Sequence, residues 1–139
     1  MSAEQNKQLV AGFFQAMTDR DFDKIAQFLA PDHQFFFPLS PVPLGPEAHV
    51  GMNQGFGVSI EDVTWHIEDQ MAVDDKVITR GHITGKHVGE FNGLPPTGNQ
   101  LDVKFINIVQ LRDGKNINEW DSLDTLTMMQ QLGAVPAPE

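Results

Sequence analysis

The chain has 139 residues, with nine Lys and Arg against nineteen Asp and Glu and a net charge of −10, and this size predicts one domain over residues 1–139 with a single core. The basic residues are scattered, so the sequence excludes the basic patch of a nucleic-acid binder, and the negative charge disfavours an anionic membrane surface. The absence of Cys and Tyr excludes thiolate chemistry, Cys-ligated metals and phenolic donors.

The amino terminus has no basic segment followed by an apolar one, so no signal peptide is expected. No apolar run approaches the ~20 residues of a membrane-spanning helix. We therefore expect a soluble, cytoplasmic protein with no membrane partner.

Helical periodicity marks the beginning of the chain. Ser2 can cap a first helix over residues 3–18, in which apolar side chains recur on one face. Asp21 can cap a second helix, which Pro31 ends. The apolar positions of these two helices are Leu9, Val10, Phe13, Phe14 and Met17, then Phe22, Ile25, Phe28 and Leu29.

A short strand-like segment follows at residues 33–37. The next stretch, residues 38–46, contains four prolines and is expected to form an irregular surface loop. Pro46 suits the first turn of a short third helix over residues 47–54, which three glycines weaken.

Strand alternation replaces helical periodicity in the second half. Asp113-Gly114 is the strongest hairpin turn of the sequence. A short helical tail reaches Leu132-Gly133, and Pro136 and Pro138 predict a frayed end. The predicted strands cover residues 63–73, 76–87, 101–111 and 115–126. Helices followed by strands indicate an α+β fold, with N-terminal helices packed on one face of a curved four-stranded antiparallel sheet that encloses one pocket.

The Asp113-Gly114 turn predicts which side chains share a face. An unbulged ladder pairs Asn107 with Trp120, Phe105 with Ser122 and Val103 with Asp124. The apolar side of the third predicted strand is the inner one, so Asn107, Phe105, Trp120 and Asp124 face the core, whereas Glu119 and Asp121 face away. A single β-bulge would reverse this assignment beyond it.

Asp124 is thus expected to be a carboxylate on an apolar face, where burial raises the pKa and the basicity of the group. This makes it a candidate general base. The alternative is that Asp124 caps the C-terminal helix, which begins near Thr125; the two roles do not exclude each other.

The other hairpin, turned at Asp74-Asp75, pairs Asp69 with Arg80, Ile67 with His82 and Trp65 with Thr84. Asp69 and Arg80 would form an ion pair at the sheet rim. His82, beside Trp65, either lines the pocket or is a hydrogen-bonded core histidine.

The remaining histidines have different expected positions. His33 shares a face with two Phe residues and is expected at the cavity mouth, His66 on the outer sheet face, and His49 in solvent. His82 and His87 lie five apart on a strand and face opposite sides, and no HExxH spacing exists. We therefore expect no metal site.

Residues 88–98 are expected to form the rim of the pocket, since their Gly and Pro residues suit a chain that turns sharply. His87 begins this loop. It either contacts the substrate or anchors the loop by hydrogen bonds.

Two motifs resemble those of one family. Residues 85–98, GKHVGEFNGLPPTG, resemble the GTHxGxFxGxPPTG signature of SnoaL-like polyketide cyclases and ester cyclases, and Asp113-Gly114-Lys115 … Glu119-Trp120 … Asp124 … Gln131-Leu132-Gly133 resembles the family's DGK … EHW … D … QLG ending. The resemblance implies the NTF2-like α+β cone, whose curved sheet and helices enclose one deep pocket.

The resemblance also implies a chemistry. In the nogalamycin-type cyclases, the Asp seven residues before the QLG glutamine is the general acid/base of an intramolecular aldol ring closure without metal or Schiff base; that position is Asp124 here. Asn107 stands where the aromatic polyketide cyclases have a pocket histidine, and Asn118-Glu119-Trp120 lacks the histidine of EHW.

The sequence therefore predicts a cofactor-independent cyclase or isomerase acting on a small apolar carbonyl compound. The alternatives are a hydrolase or dehydratase on the same fold, for which an internal Asp69–Arg80 pair would be evidence, and a non-catalytic small-molecule binding protein. Asp124 is the expected catalytic residue. The expected pocket residues are Asn107, Trp120, His87, His82, His33, Phe105 and Trp65.

Two further expectations concern partners. The aromatic residues favour a large, flat apolar ligand, although they could equally be packed core. Ile106 and Ile108 on the outer sheet face favour a homodimer that pairs through this face.

Overall fold

Helices come first along the chain and long strands follow, as the sequence predicts, in the computed structural model, which describes residues 2–136. Pro138, one of the two prolines that predict a frayed C-terminal end, lies outside these residues. The helices are α1 (Ala3–Asp19), α2 (Phe22–Phe28), α3 (Pro46–Ser59) and α4 (Thr125–Gln131). The strands are β1 (Leu29–Phe36), β2 (Ile60–Val73), β3 (Lys76–His87), β4 (Gln100–Arg112) and β5 (Lys115–Leu123).

The first helix begins at the predicted cap. The Ser2 hydroxyl accepts a hydrogen bond from the backbone N–H of Gln5 at 3.1 Å, and the Gln5 side chain accepts one from the Ser2 backbone at 2.8 Å. This reciprocal pair satisfies two donors that the first helical turn leaves free. One face of α1 then packs on the sheet through Val10, Phe13, Phe14 and Met17, all buried.

The third helix is longer than predicted. It runs from Pro46 to Ser59 in spite of its three glycines, each of which costs about 1 kcal/mol relative to Ala in a helix. His49 on this helix is buried, and Val50 and Phe56 pack against the core. Tertiary packing therefore offsets the weak intrinsic propensity.

The sheet has five strands, where the sequence predicted four, in the order β1-β5-β4-β3-β2. The segment predicted as a short strand is β1, which joins the edge of the sheet parallel to β5, while the other pairs are antiparallel. Pro31 lies exposed in β1, as an edge strand allows. The predicted α+β class is confirmed.

The predicted hairpin turn between β4 and β5 is also confirmed. Asp113 and Gly114 both have positive φ, 53° and 74°, as a two-residue type I′ turn requires. The first pairs, Arg112 with Lys115 and Leu111 with Asn116, are those predicted.

Beyond these pairs the predicted register is wrong, because β5 contains a β-bulge. Gln110 pairs with Asn118, so Ile117 is an extra residue of β5, and Asn107 pairs with Asp121 instead of Trp120. Since side chains alternate along a strand, the extra residue exchanges the two faces of the rest of β5. Glu119, Asp121 and Leu123 face inward, and Trp120 faces outward.

Register shifts also change β2. One shift lies between Ile67 and Asp69, so that His82 pairs with His66 and Trp65 with Ile83. Ile83 is buried and lines the interior, whereas His82 is on the outer face opposite exposed Lys104. The expectation that His82 lies in the pocket or the core is therefore wrong.

None of the helices within residues 2–136 is both long and apolar enough to cross a bilayer.

We predict that Gly81→Ala destabilises the fold by about 1–3 kcal/mol, the typical cost of overpacking. A Cβ at Gly81 would lie 2.0 Å from the backbone carbonyl oxygen of His66, and backbone cannot move as a flexible side chain can. Urea denaturation measures the effect. Gly12→Ala in α1 is the matched control: a Cβ there meets nothing within 4 Å, so this change should stabilise the protein by roughly 0.5–1 kcal/mol. Equal effects of the two changes would contradict the prediction.

Candidate active site

A cavity of about 630 Å³ lies between the helices and the inner face of the sheet. Its walls are mainly apolar and aromatic, and every layer of the fold contributes to them. The aromatic and large apolar lining residues include Phe35, Phe37, Met52, Phe56, Trp65, Ile83, Phe91, Leu101, Val103, Leu123 and Met128. A cavity of this size and composition suits a flat apolar small molecule.

Two carboxyl groups of β5 lie in the wall of this cavity, both on the face that the bulge turned inward. Glu119 is 2% exposed, and Asp121 is half-buried. Nδ2 of Asn107 on the neighbouring strand donates to Glu119 Oε2 at 2.9 Å and to Asp121 Oδ1 at 3.2 Å. One amide group thus fixes both acids.

The pKa values of both acids are raised. Burial raises the pKa of Glu119 from 4.5 to about 8, with a further contribution from the charge of Asp121. Burial also raises the pKa of Asp121 from 3.8 to about 7, even though its side chain keeps some accessible surface, because apolar groups replace most of the surrounding water. The bonds from Asn107 act in the opposite direction but are the smaller effect. Two acids that titrate near neutrality in an apolar cavity can exchange protons with a ligand.

A chain of hydrogen bonds leads from β5 to α3. Asn116, fully buried at the bulge, donates through Nδ2 to Glu119 Oε1 at 2.8 Å. Its backbone oxygen is 3.0 Å from Nδ1 of His33, and Nε2 of His33 is 2.9 Å from Nδ1 of His49. His49 lines the cavity and stacks on Phe35, with ring centroids 3.9 Å apart. The expectations of a solvent-exposed His49 and of His33 at the cavity mouth are therefore wrong; His33 lies behind His49.

The expected placement of Asp124 on the inner face is wrong. Asp124 is exposed and caps α4: its carboxylate accepts from the Thr127 backbone N–H at 3.3 Å and from the Thr127 hydroxyl at 2.7 Å. These hydrogen bonds hold the pKa of Asp124 below its usual value. The alternative reading of Asp124 as a helix cap is the one that its contacts match.

Trp120, expected in the pocket, stacks on Phe36 on the outer side of the sheet, with centroids 5.6 Å apart and the rings 7° from parallel. Phe105 is buried beneath the cavity against Phe14 and Trp65. Of the three aromatic residues expected in the pocket, only Trp65 lines the cavity within the part of the chain that the structure describes.

The rim loop contributes Glu90, Phe91 and Asn92 to the cavity wall. His87 is completely buried at its base, where Nδ1 accepts from the Thr97 backbone N–H at 3.2 Å and lies 3.0 Å from the Thr97 hydroxyl. It does not line the cavity. These contacts match the alternative in which His87 anchors the loop.

The outer-face groups pair with one another. Arg80 forms an ion pair with Glu68 at 2.6 Å, although it stands opposite Asp69 as predicted, and His82 Nδ1 is 2.7 Å from the same carboxylate. Arg80 is thus outside the cavity. The internal Asp69–Arg80 pair that would have favoured a hydrolase does not form.

His33, His49 and Glu119 each place one potential metal-ligating atom within 4.8 Å of the others. However, the hydrogen bond between the two rings occupies one nitrogen of each ring. Both ring nitrogens of His33 take part in hydrogen bonds, so a metal that bound His33 would have to break one of them. The absence of a metal site stays a prediction.

Sequence reasoning missed Glu119, Asp121 and His49 as cavity residues. A usable signal existed for the first two: two acids at alternate positions of one strand must share a face. The predicted register, which contained no bulge, placed this face of β5 in solvent, so the two acids were not recognised as cavity residues.

Comparisons with known proteins bear on the family and the fold of the chain. The family model of SnoaL-like polyketide cyclases matches residues 8–132. The aklanonic acid methyl ester cyclase DauD of Streptomyces sp. (strain C5) is 27% identical over a match of 138 residues; 94% of this chain and 84% of that protein are covered.

Solved structures are similar over the whole fold. IdmH from Streptomyces antibioticus, a candidate polyketide cyclase, is 29% identical with a TM-score of 0.83, covering 93% of this chain and 99% of that one. AclR from Streptomyces galilaeus, a candidate hydroxylase, is 24% identical with a TM-score of 0.90, covering 99% of this chain and 87% of that one, and is a likeness of fold alone. The NTF2-like fold that the two motifs implied is confirmed.

We predict that Glu119→Gln weakens the loss of stability with rising pH. A raised pKa in the folded state means that the stability contribution is full below pH 4.5 and is lost as the pH rises through about 8. Glutamine stays neutral at every pH. The fall in the free energy of unfolding between pH 4.5 and about 8 that is due to Glu119, on the order of a few kcal/mol, should therefore be absent from this variant. The change is sterically conservative, and the unpartnered Oδ1 atoms of Asn107 and Asn116 can accept from the new amide after an amide flip.

Urea denaturation across this pH range measures the effect. Asp124→Asn is the control, because the pKa of Asp124 is lowered, so its contribution is lost only at acid pH. An unchanged pH dependence in Glu119→Gln would show that Glu119 is ionised in the fold.

Proposed function

This chain belongs to the SnoaL-like polyketide cyclase family, and from this premise we propose that it closes a ring by an intramolecular aldol reaction, with Asp121 as general base and Glu119 as general acid. Family membership makes the protein an enzyme of the polyketide cyclase type. The observation that carries the proposal is that one amide, Asn107, binds both acids in the wall of an apolar cavity.

The proposed reaction begins at a carbon that lies between two carbonyl groups. The Asp121 carboxylate takes a proton from this carbon, and the electron pair forms an enolate. The enolate carbon then attacks a second carbonyl carbon of the same molecule, forming the C–C bond. Protonated Glu119 gives its proton to the resulting oxyanion, and a proton passing from Asp121 to Glu119 restores the starting state.

The raised pKa values support this division of roles. Burial raises the pKa of both acids, so near neutrality one of them can carry the proton while the other is ionised. Asp121 keeps accessible surface in the cavity wall and is the better placed to be the ionised base, whereas Glu119 is 2% exposed and is the better placed to stay protonated. A proton on a carbon between two carbonyls is acidic enough for a carboxylate base. The proposed step therefore needs neither metal nor organic cofactor.

The cavity supports a flat polycyclic or aromatic substrate. Its apolar walls and aromatic faces match such a molecule, and the named relative is a cyclase of aklanonic acid methyl ester. We therefore propose a polyketide ester or ketone of this type, and aklanonic acid methyl ester is the first compound to test.

We predict that Asp121→Asn lowers the cyclisation rate by about 10²–10⁴-fold, the usual cost of losing a general base. The measurement is product formation from aklanonic acid methyl ester, followed by chromatography.

Asp124→Asn is the matched control, because it removes the carboxylate that the family motif favours and keeps an oxygen that can cap α4. It should retain a rate close to that of the wild type. The reverse result, with Asp124→Asn inactive and Asp121→Asn active, would transfer the role of base to Asp124 and overturn the proposal.

We also propose that the protein is a homodimer through the outer sheet face. The strand registers place five apolar side chains in one row across all five strands of this face: Met71, Ile78, Ile108, Trp120 and Phe36. Ile106 next to this row is 52% exposed. A continuous apolar row on an exposed sheet favours association.

We predict that Ile108→Lys converts the dimer to a monomer, because a desolvated charge would lie within the apolar row. Light scattering coupled to size exclusion at micromolar concentration measures the mass. Leu126→Lys on α4, where Leu126 is 62% exposed away from this row, should leave the dimer intact. A monomeric wild-type protein would contradict the proposal.

A further inference from the structure

Two buried histidines form a pair beside the cavity, and the proposed reaction uses neither of them. His33 on β1 and His49 on α3 are 2% and 1% exposed, and their rings are 15° from parallel, with centroids 5.1 Å apart. The hydrogen bonds described above run from the Asn116 backbone oxygen to His33 and from His33 to His49.

These contacts determine where each proton lies. A backbone carbonyl oxygen only accepts hydrogen bonds, so Nδ1 of His33 carries a proton and donates it to Asn116. In a neutral ring the other nitrogen, Nε2, is then an acceptor. Nδ1 of His49 must therefore carry the proton that it donates to His33, which leaves Nε2 of His49 as an unprotonated nitrogen with a free lone pair.

The Nε2 atom of His49 is not fully buried. Within residues 2–136 no group forms a hydrogen bond with it. Three side-chain polar atoms within residues 2–136 are fully buried and lack a hydrogen-bond partner: His87 Nε2, Asn107 Oδ1 and Asn116 Oδ1. His49 Nε2 also lacks a partner but is not among them, so it keeps some contact with the space around it. Because His49 lines the cavity, the cavity is the side from which a ligand can reach this nitrogen.

We propose that Nε2 of His49 is a subsite that accepts a hydrogen bond from a hydroxyl group of the ligand. The ligand class of the cavity is then a hydroxylated aromatic compound, such as a phenol or an enol, and not a bare hydrocarbon or a methyl ether. His33 is the positioning residue, because it holds His49 in the tautomer that accepts.

Burial keeps this acceptor uncharged. Desolvation, followed by the neighbouring His33, lowers the pKa of His49 to about 3, and desolvation also lowers the pKa of His33. The stacked Phe35 ring covers one face of the His49 imidazole and excludes water there. A neutral nitrogen at this position favours ligands with a hydroxyl group over ligands without one, because a ligand that has no donor leaves the nitrogen without a hydrogen bond.

The subsite is close to the proposed reaction centre. A ring nitrogen of His49 and a carboxylate oxygen of Glu119 lie within 4.8 Å of each other. A hydroxyl bound at His49 would therefore orient the ligand next to the acid pair. The inference rests on the cavity of the proposed function and extends it, but its tests measure protonation and binding and not turnover, so the two can fail separately.

The first experiment is ¹⁵N NMR of the ligand-free wild-type protein, in which protonated and unprotonated ring nitrogens give well separated signals. We expect His49 to be protonated at Nδ1 alone. His33→Gln should keep this pattern, since a glutamine amide can both donate to Asn116 and accept from His49, whereas His33→Phe should release the tautomer. Protonation of His49 at Nε2 in the wild-type protein would overturn the inference, and this test does not depend on any variant folding.

The second experiment compares the affinities of 2-naphthol and 2-methoxynaphthalene by titration calorimetry. The two probes have the same ring system, but only the first can donate a hydrogen bond. The wild-type protein should prefer 2-naphthol by about threefold to tenfold, the contribution of one neutral hydrogen bond. In His49→Phe this preference should disappear while 2-methoxynaphthalene still binds.

His82→Phe, on the outer sheet face, is the matched control and should keep the preference. A wild-type protein without the preference, or a His49→Phe protein that retains it, would overturn the inference. The same is true if zinc binds stoichiometrically and both His49→Phe and Glu119→Gln abolish the binding, because His49 would then be a metal ligand.

Discussion

The extra residue in β5 is the constraint on which the site depends. Side chains alternate along a strand, so Asn116 and Glu119, three residues apart, would face opposite sides of a regular sheet. With Ile117 as the extra residue, both point inward, and their side chains meet at 2.8 Å. The same displacement brings Asp121 opposite Asn107 and removes Trp120 from the interior.

The bulge is in turn stabilised by the hydrogen bonds of the groups that it brings together. Asn116 is completely buried at this position, and burial without partners would cost its polar groups several kcal/mol. Its backbone carbonyl oxygen accepts a hydrogen bond from His33 of the edge strand, and its side-chain Nδ2 donates one to Glu119. One hydrogen-bonded unit thus contains the parallel edge strand β1, the bulge and Glu119. Helix α3 joins this unit through His49.

The sequence predicts the elements of this fold well and its registers poorly, for a physical reason. Helix caps, turns and periodicity are local, so the Ser2 cap, the Asp113-Gly114 turn and the strand alternation could be recognised. A bulge depends on groups that are distant in sequence: Asn116 meets His33 from 83 residues away. Because one extra residue inverts a face, a nearly correct strand prediction assigned Asp124 to the interior and Asp121 to solvent.

The two tryptophans lie on opposite sides of the sheet. Trp65 lines the cavity, whereas Trp120 stacks on Phe36 on the outer face. In a chain without tyrosine and with two tryptophans, ultraviolet emission comes from these two indoles, and each has its own environment. Replacing Trp120 by Phe would leave one fluorophore in the cavity wall, so that its emission would report occupancy of the cavity directly, while Trp120 alone would report events on the outer surface.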